Sequence, residues 1–463
     1  MAAWRWASVV CVLTSLLVGC GEKALATPRA PGLVVVGAGE GGDGGKAALA
    51  WTRSLAHGDS EAPSAAVAPN GDVLVAATYR EPLDIGGGPL PFDQASARPH
   101  LLVARFSRDG TLHWAHGLVP AKQGTTPARV GGLAVDPQGR VWLGGAASGF
   151  TLGMTHFPEG PFLARLSPEG AVEQVKAFPG DGALTVQAVA TDGANGVVVV
   201  GDFTGARDFG DTVREPPDGE RAAFVVRLTP DGRTQWSRAW SAGAQGLVSA
   251  RAVAVDVFGD IHVAGAYSGS VCFGGASFVT VRQRTPFVLK LSRRGEHAWS
   301  HDLRGATGSA DAVAVASDRV FVAGGFSSRF YFQGRLHDGG EHHGFVAAYD
   351  AQGHERWARS FAASARALAT DEAGQLTLVG THDGGLDLAR TRAPAGLYVA
   401  RLLPEAGQSL WVRSFSSPTP PAPRSVAVDG TGDTVVAGAL RRVLPVGTPY
   451  PHPEDGFLFR LRP

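Results

Sequence analysis

The chain has 463 residues, with 42 Lys+Arg against 42 Asp+Glu, 63 Gly, 30 Pro and 3 Cys. Balanced charge, with no basic run threaded by aromatics, excludes nucleic acid as the main partner. The few cysteines exclude a disulfide framework, and the glycine and proline content fits an all-β chain dense in turns.

In chain order, the first segment is residues 1–19. Arg5 is its lone positive charge, and residues 7–18 form an apolar core too short to span a bilayer. This reads as a signal peptide, to be set aside from the fold. It ends in Leu17-Val18-Gly19-Cys20, which resembles the bacterial lipobox. The resemblance implies cleavage before Cys20, acylation of its thiol, and a firm anchor from several acyl chains. The address it implies is the bacterial cell envelope, lipid-anchored in the outer membrane. Residues 20–50 then read as a Gly-rich tether, interrupted by a short apolar run at 33–36. Cys11 leaves with the signal, so Cys272 is the free thiol of the body, expected as a buried small hydrophobe.

From residue 51 a repeat takes over. A strand ending each unit carries Trp51, Trp114, Gln174, Trp236, Trp299, Trp357 and Trp411, spaced by 63, 60, 62, 63, 58 and 54 residues. The fourth copy gives the unit in full: RAVAVD, DIHVAGAY, a long connection, PFVLKLS, a tight turn and HAWSHDL. Four short β-rich runs at a fixed period predict a seven-bladed β-propeller of four-stranded blades over 51–463. The last copy stops at FLFRLRP, without its Trp strand, while the strand at 51–55 stands alone. Pairing the two would close the ring and remove an edge.

The copies GDFTGARDFGD and GAYSGSVCFGG, with the FVxRLxxxGxxxW segment, resemble the seven-bladed β-propeller (SBBP) repeats of bacterial envelope and secreted proteins. That resemblance implies architecture and carries no defined activity. Gln174 departs from the Trp position, and the fifth copy lacks the first-turn Gly.

With strands lettered A to D from the axis outward, the A–B and C–D turns are short. The B–C connections are long and dissimilar: 80–100, 150–161, 208–221, 271–285, 329–343 and 441–455. The long-connection face, around the channel mouth, is therefore the expected binding face. Recurrent residues read as scaffold: the Trp series, the C-strand cations Arg105, Arg165, Arg227, Lys290, Arg401 and Arg460, and the turn residues Asp136, Asp192, Asp256, Asp371 and Asp429. His337, His342 and His343, with Glu341, are weak zinc candidates in what reads as a solvated loop. Arg282, Arg284, Arg390, Arg392, Arg441 and Arg442 read as scattered surface charge.

No nucleophile elbow, zincin or phosphate-loop motif occurs in the sequence. The expectation is a monomeric binding scaffold for a protein or surface polymer of the envelope, with no cofactor. The alternative is a propeller hydrolase, lyase or quinone-dependent dehydrogenase with a site at the channel mouth.

Overall fold

A computed structural model describes residues 34–35, 48–56, 63–96, 98–121, 126–152, 154–194, 196–217, 219–243, 245–388, 391–392, 394–417, 421–441 and 454–463. All belong to one unit, residues 31–463. The signal segment and Cys20 lie outside the described residues.

The unit is a seven-bladed β-propeller. Blade I is Ser64–Val67, Val73–Tyr79, His100–Phe106 and Leu112–Leu118. Blade II is Arg129–Val135, Val141–Leu152, Thr155–Leu166 and Val172–Ala177. Blade III is Leu184–Thr191, Val197–Phe203, Ala222–Leu228 and Thr234–Trp240. Blade IV is Leu247–Val255, Ile261–Cys272, Ser277–Leu291 and His297–Asp302. Blade V is Ala306–Ala316, Arg319–Phe332, Arg335–Asp350 and Glu355–Phe361. Blade VI is Ala367–Thr370, Leu376–His382, Gly396–Leu402 and Ser409–Ser416. Blade VII takes Pro421–Val428, Thr434–Arg441 and Glu454–Arg462 from the end of the chain and Ala48–Ala56 from its beginning.

Each A strand packs on the next, and blade VII packs on blade I. The closing strand pairs antiparallel with the last, Trp51 opposite Arg460 and Thr52 opposite Phe459. Val34–Val35, inside the stretch expected as tether, adds outside strand D of blade VI, opposite Ser416 and Phe415.

Strands B and C have blades on both sides, so every residue of Val197–Phe203 and Ala222–Leu228 is buried. Such strands lose the apolar–polar alternation of a half-exposed sheet and read as β-branched runs. Each fully buried Val, Leu or Phe contributes roughly 1.5–3 kcal/mol of transfer free energy.

The long B–C connections differ from the irregular stretches expected. In blades II, IV and V, strands B and C run on as β-hairpins, reaching Leu152–Thr155, Cys272–Ser277 and Phe332–Arg335. A residue of positive φ marks the departure of strand B: Gly149, Gly205, Gly269, Ser328 or Gly384. Each described connection then returns an apolar side chain to the core, such as Phe209, Phe273 or Phe332. Phe273 packs against Phe287, with ring centroids 4.7 Å apart and the rings tilted by 34°.

Candidate functional site

The recurrent residues occupy the contacts between blades. The ring nitrogens of Trp51, Trp114, Trp236, Trp299 and Trp357 each donate to a C–D turn carbonyl of the following blade, at 2.8–3.1 Å. Gln174 Nε2 makes the same bond to the Asp231 carbonyl at 2.8 Å, so the departure from Trp keeps the donor. Trp411 faces blade VII, whose C and D strands come from opposite chain ends and share no turn. The receiving turns carry glycine for two reasons. Gly295 has φ +76°, and a Cβ there would lie 2.8 Å from the Trp236 indole.

Five of the six C-strand cations pair with the A–B turn; Arg165 instead meets Glu173 of strand D at 2.8 Å, and Asp136 meets Arg140 at 2.7 Å. Arg227 meets Asp192 at 2.5 Å, Arg105 meets Asp72 at 2.9 Å, and Lys290 meets Asp260 at 3.1 Å. Arg460, almost fully buried, meets Asp433 at 2.9 Å and Asp429. Arg401 pairs with Asp371. The turn aspartates also accept backbone N–H groups, as Asp256 does from Phe258 and Asp260 at 3.0 and 2.9 Å. In blade V both members are gone together, replaced by Ala316 and Ala348. Losing one alone would strand a buried charge.

The axis behaves differently. Strand A carries a bulge in blades II, III, IV, V and VII, which leaves one residue unpaired with strand B: Gly131, Gln187, Arg251, Asp311 and Arg424. Blade VI places Arg366 and blade I places Pro63 at the same step before the A–B turn. The same backbone position thus holds Pro63, Gly131, Gln187, Arg251, Asp311, Arg366 and Arg424. All but Pro63 line a central cavity of about 860 Å³. Gly131 is small of necessity, because a Cβ there would lie 2.3 Å from the Val186 carbonyl oxygen of blade III.

Two residues nearer the short-turn face, Leu133, Val189, Val253, Val313, Leu368 and Val426 form an aliphatic ring around the same cavity. Toward the long-connection face lies a polar cluster. Asp311 accepts from Arg251 at 2.7 Å, Arg366 at 3.4 Å and Ser309 at 2.7 Å. Asp202 accepts from Ser249 at 2.7 Å and lies 3.6 Å from Arg221. Burial pushes the Asp202 carboxyl above the usual range, against the pull of Ser249 and Arg221. Burial, and after it the Arg251 charge, pushes Arg284 below the usual arginine range. The Nε atoms of Arg251 and Arg284 are buried without a hydrogen-bond partner. Arg424 reaches across to the Val130 and Gly131 carbonyls at 2.7 and 3.2 Å.

The sequence-predicted candidates fare unevenly. His337 lies within a β-hairpin strand rather than a solvated loop, stacked on Phe330 at 4.8 Å, and burial lowers its pKa. His343 accepts from the Gly340 N–H at 2.9 Å and faces Phe326. The side chain of His342 lies outside the described residues. Among the described residues no three His, Cys, Asp or Glu groups converge as metal ligands. Cys272 is exposed, not buried: on the hairpin its neighbours Val271 and Phe273 take the core side. Arg284 joins the hub rather than the outer surface. The hub itself was missed in the sequence; aligning the seven A strands on their turn residue would have shown one position with five residue types, arginine in three blades.

No family model and no curated protein matches the chain. Solved structures similar to it include a quinohemoprotein alcohol dehydrogenase of Pseudomonas putida HK5 (11% identity, 89% of this chain and 76% of that one, TM-score 0.41). Others are a protein of unknown function from Dyadobacter fermentans (12%, 90% and 99%, TM-score 0.41) and an apocarotenoid oxygenase of Synechocystis (11%, 87% and 92%, TM-score 0.40).

Proposed function

We propose that this chain is a binding scaffold of the bacterial envelope, an SBBP-type lipoprotein tethered through Cys20, that engages a protein or surface polymer with its long-connection face. One observation carries the reading: residues on the short-turn side and between blades repeat, while the axis position holds five residue types over seven blades and the long connections differ in length and sequence. Rigid scaffolds concentrate recognition on such variable positions. The hairpins of blades IV and V add apolar groups directed to solvent, Val279, Val281, Tyr331 and Leu336. The short-turn face has its own exposed pair, Val257 and Phe258, in a single blade.

The test is crosslinking and capture of the tagged full-length chain from native envelopes, beside its Cys20→Ser variant. One dominant partner, and release of the variant from the membrane fraction, is the expected result. Background alone, with the variant still in the membrane, would overturn it.

A second reading, an enzyme at the channel mouth, is favoured by Asp202. A buried carboxyl with a raised pKa suits general acid chemistry. A turnover found in a metabolite screen and lost in Asp202→Asn would establish it.

A further inference from the structure

The charge in the hub does not balance. Arg221, Arg251, Arg284 and Arg366 surround two carboxylates, Asp202 and Asp311. Like charges gathered in a partly desolvated cavity repel one another, and each such contact costs stability unless an anion joins them. Two of these guanidiniums also keep a buried Nε–H without an acceptor. A guanidinium offers donors in a planar fork that matches an oxyanion, and Arg251 and Arg366 line the cavity itself, so the cluster has the charge for one. Beneath it the cavity turns aliphatic, and its volume of about 860 Å³ is in the range of small-molecule sites.

We propose that the hub binds an amphiphilic organic anion, with a carboxylate held among Arg251, Arg284 and Arg366 and an apolar body directed along the axis into the aliphatic ring. The bulge in strand A makes this possible. In five blades it releases one residue from the sheet pattern and turns it to the axis, and blade VI carries Arg366 to the same cavity just before its strand A begins, so charged groups enter the hub while strand B keeps its partners. Asp311 orients Arg251 and Arg366 from blade V, between the blades that carry them. The inference rests on the binding reading, and the two fail separately: an envelope partner captured elsewhere on the ring leaves the hub unaddressed, and a hub ligand needs no envelope partner.

Calorimetric titration of the full chain with octanoate tests it, with acetate, octylammonium and inorganic phosphate as parallel arms. The expected result is saturable one-to-one binding of octanoate, acetate weaker by about tenfold or more, and no saturable binding of octylammonium. Arg366→Met should weaken octanoate by about tenfold, the scale of one charge-assisted contact, with thermal unfolding unchanged. Arg284→Met is the second variant, should the first fail to fold. No octanoate binding would overturn the proposal. So would equal binding of octylammonium, which marks a general apolar surface, or phosphate as tight as octanoate, which marks an inorganic anion site. Octanoate affinity unchanged in both variants would place the ligand elsewhere and overturn it too.

Discussion

The rim and the hub of this ring obey opposite rules. At the rim, one solution recurs: an indole or amide donates to the next turn, a glycine lies flat against it, and in five of the seven blades a buried cation meets the turn carboxylate. At the hub, one backbone position holds Pro63, Gly131, Gln187, Arg251, Asp311, Arg366 and Arg424. A position that repeats is held by a contact every blade must make. A position freed by a bulge from the strand-to-strand ladder is open to divergence. Repetition here marks stability, and its failure marks the place where the molecule can acquire a ligand.

The largest expected effect breaks the rim altogether. Removing residues 48–56 takes strand D from blade VII and with it the Trp51 bond to the Arg108 carbonyl at 3.0 Å. Cooperative unfolding of the whole ring should be lost, measured by circular dichroism on heating. A truncated ring with the parent transition would mean that closure contributes little.

A smaller effect separates backbone strain from contact. Gly295 and Gly219 both have φ +76°, but only Gly295 lies against an indole. Gly295→Ala should cost about 2–4 kcal/mol, combining left-handed strain with displacement of Trp236. Gly219→Ala should cost about 1 kcal/mol, from strain alone. Equal losses in chemical denaturation would remove the indole from the account.

The smallest effect is graded with pH. His100, His116, His262, His297, His337 and His382 all have pKa values lowered chiefly by burial. The unfolded chain, with histidines near about 6.5, binds protons that the folded chain refuses. Their contribution is therefore complete above that value and is lost as pH falls from it toward the lowered folded values. The unfolding midpoint should decline from pH 7 to pH 5; a flat profile would contradict the burial of these rings.

Much of the rim was legible in the sequence, because its contacts need fixed residue types at a fixed period. The orphan strand at 51–55 and the missing last strand gave the closure for the same reason. The hub was not legible. In RAVAVD, Arg251 looks like one more member of an alternating run, and a bulge leaves no mark in a single copy. The hairpins hid as well. Cys272 read as buried from its aromatic neighbours, but a hairpin sends adjacent residues to opposite sides. His337 read as solvated from its polar surroundings, yet the register sets it against Phe330. In both cases strand pairing, not composition, decided the environment.

One measurement sets rim against hub within a single blade. Arg401 and Arg366 both belong to blade VI; the first is buried against Asp371, Gln375 and Thr377, while the second is half exposed and 3.4 Å from Asp311. Each is replaced by methionine and the stability to denaturant compared. A loss of about 3–5 kcal/mol is expected for Arg401→Met, which strands the largely buried Asp371 carboxylate, and under about 1 kcal/mol for Arg366→Met. Comparable losses, or a larger one for Arg366→Met, would show that the hub holds the ring together and would contradict the division between them.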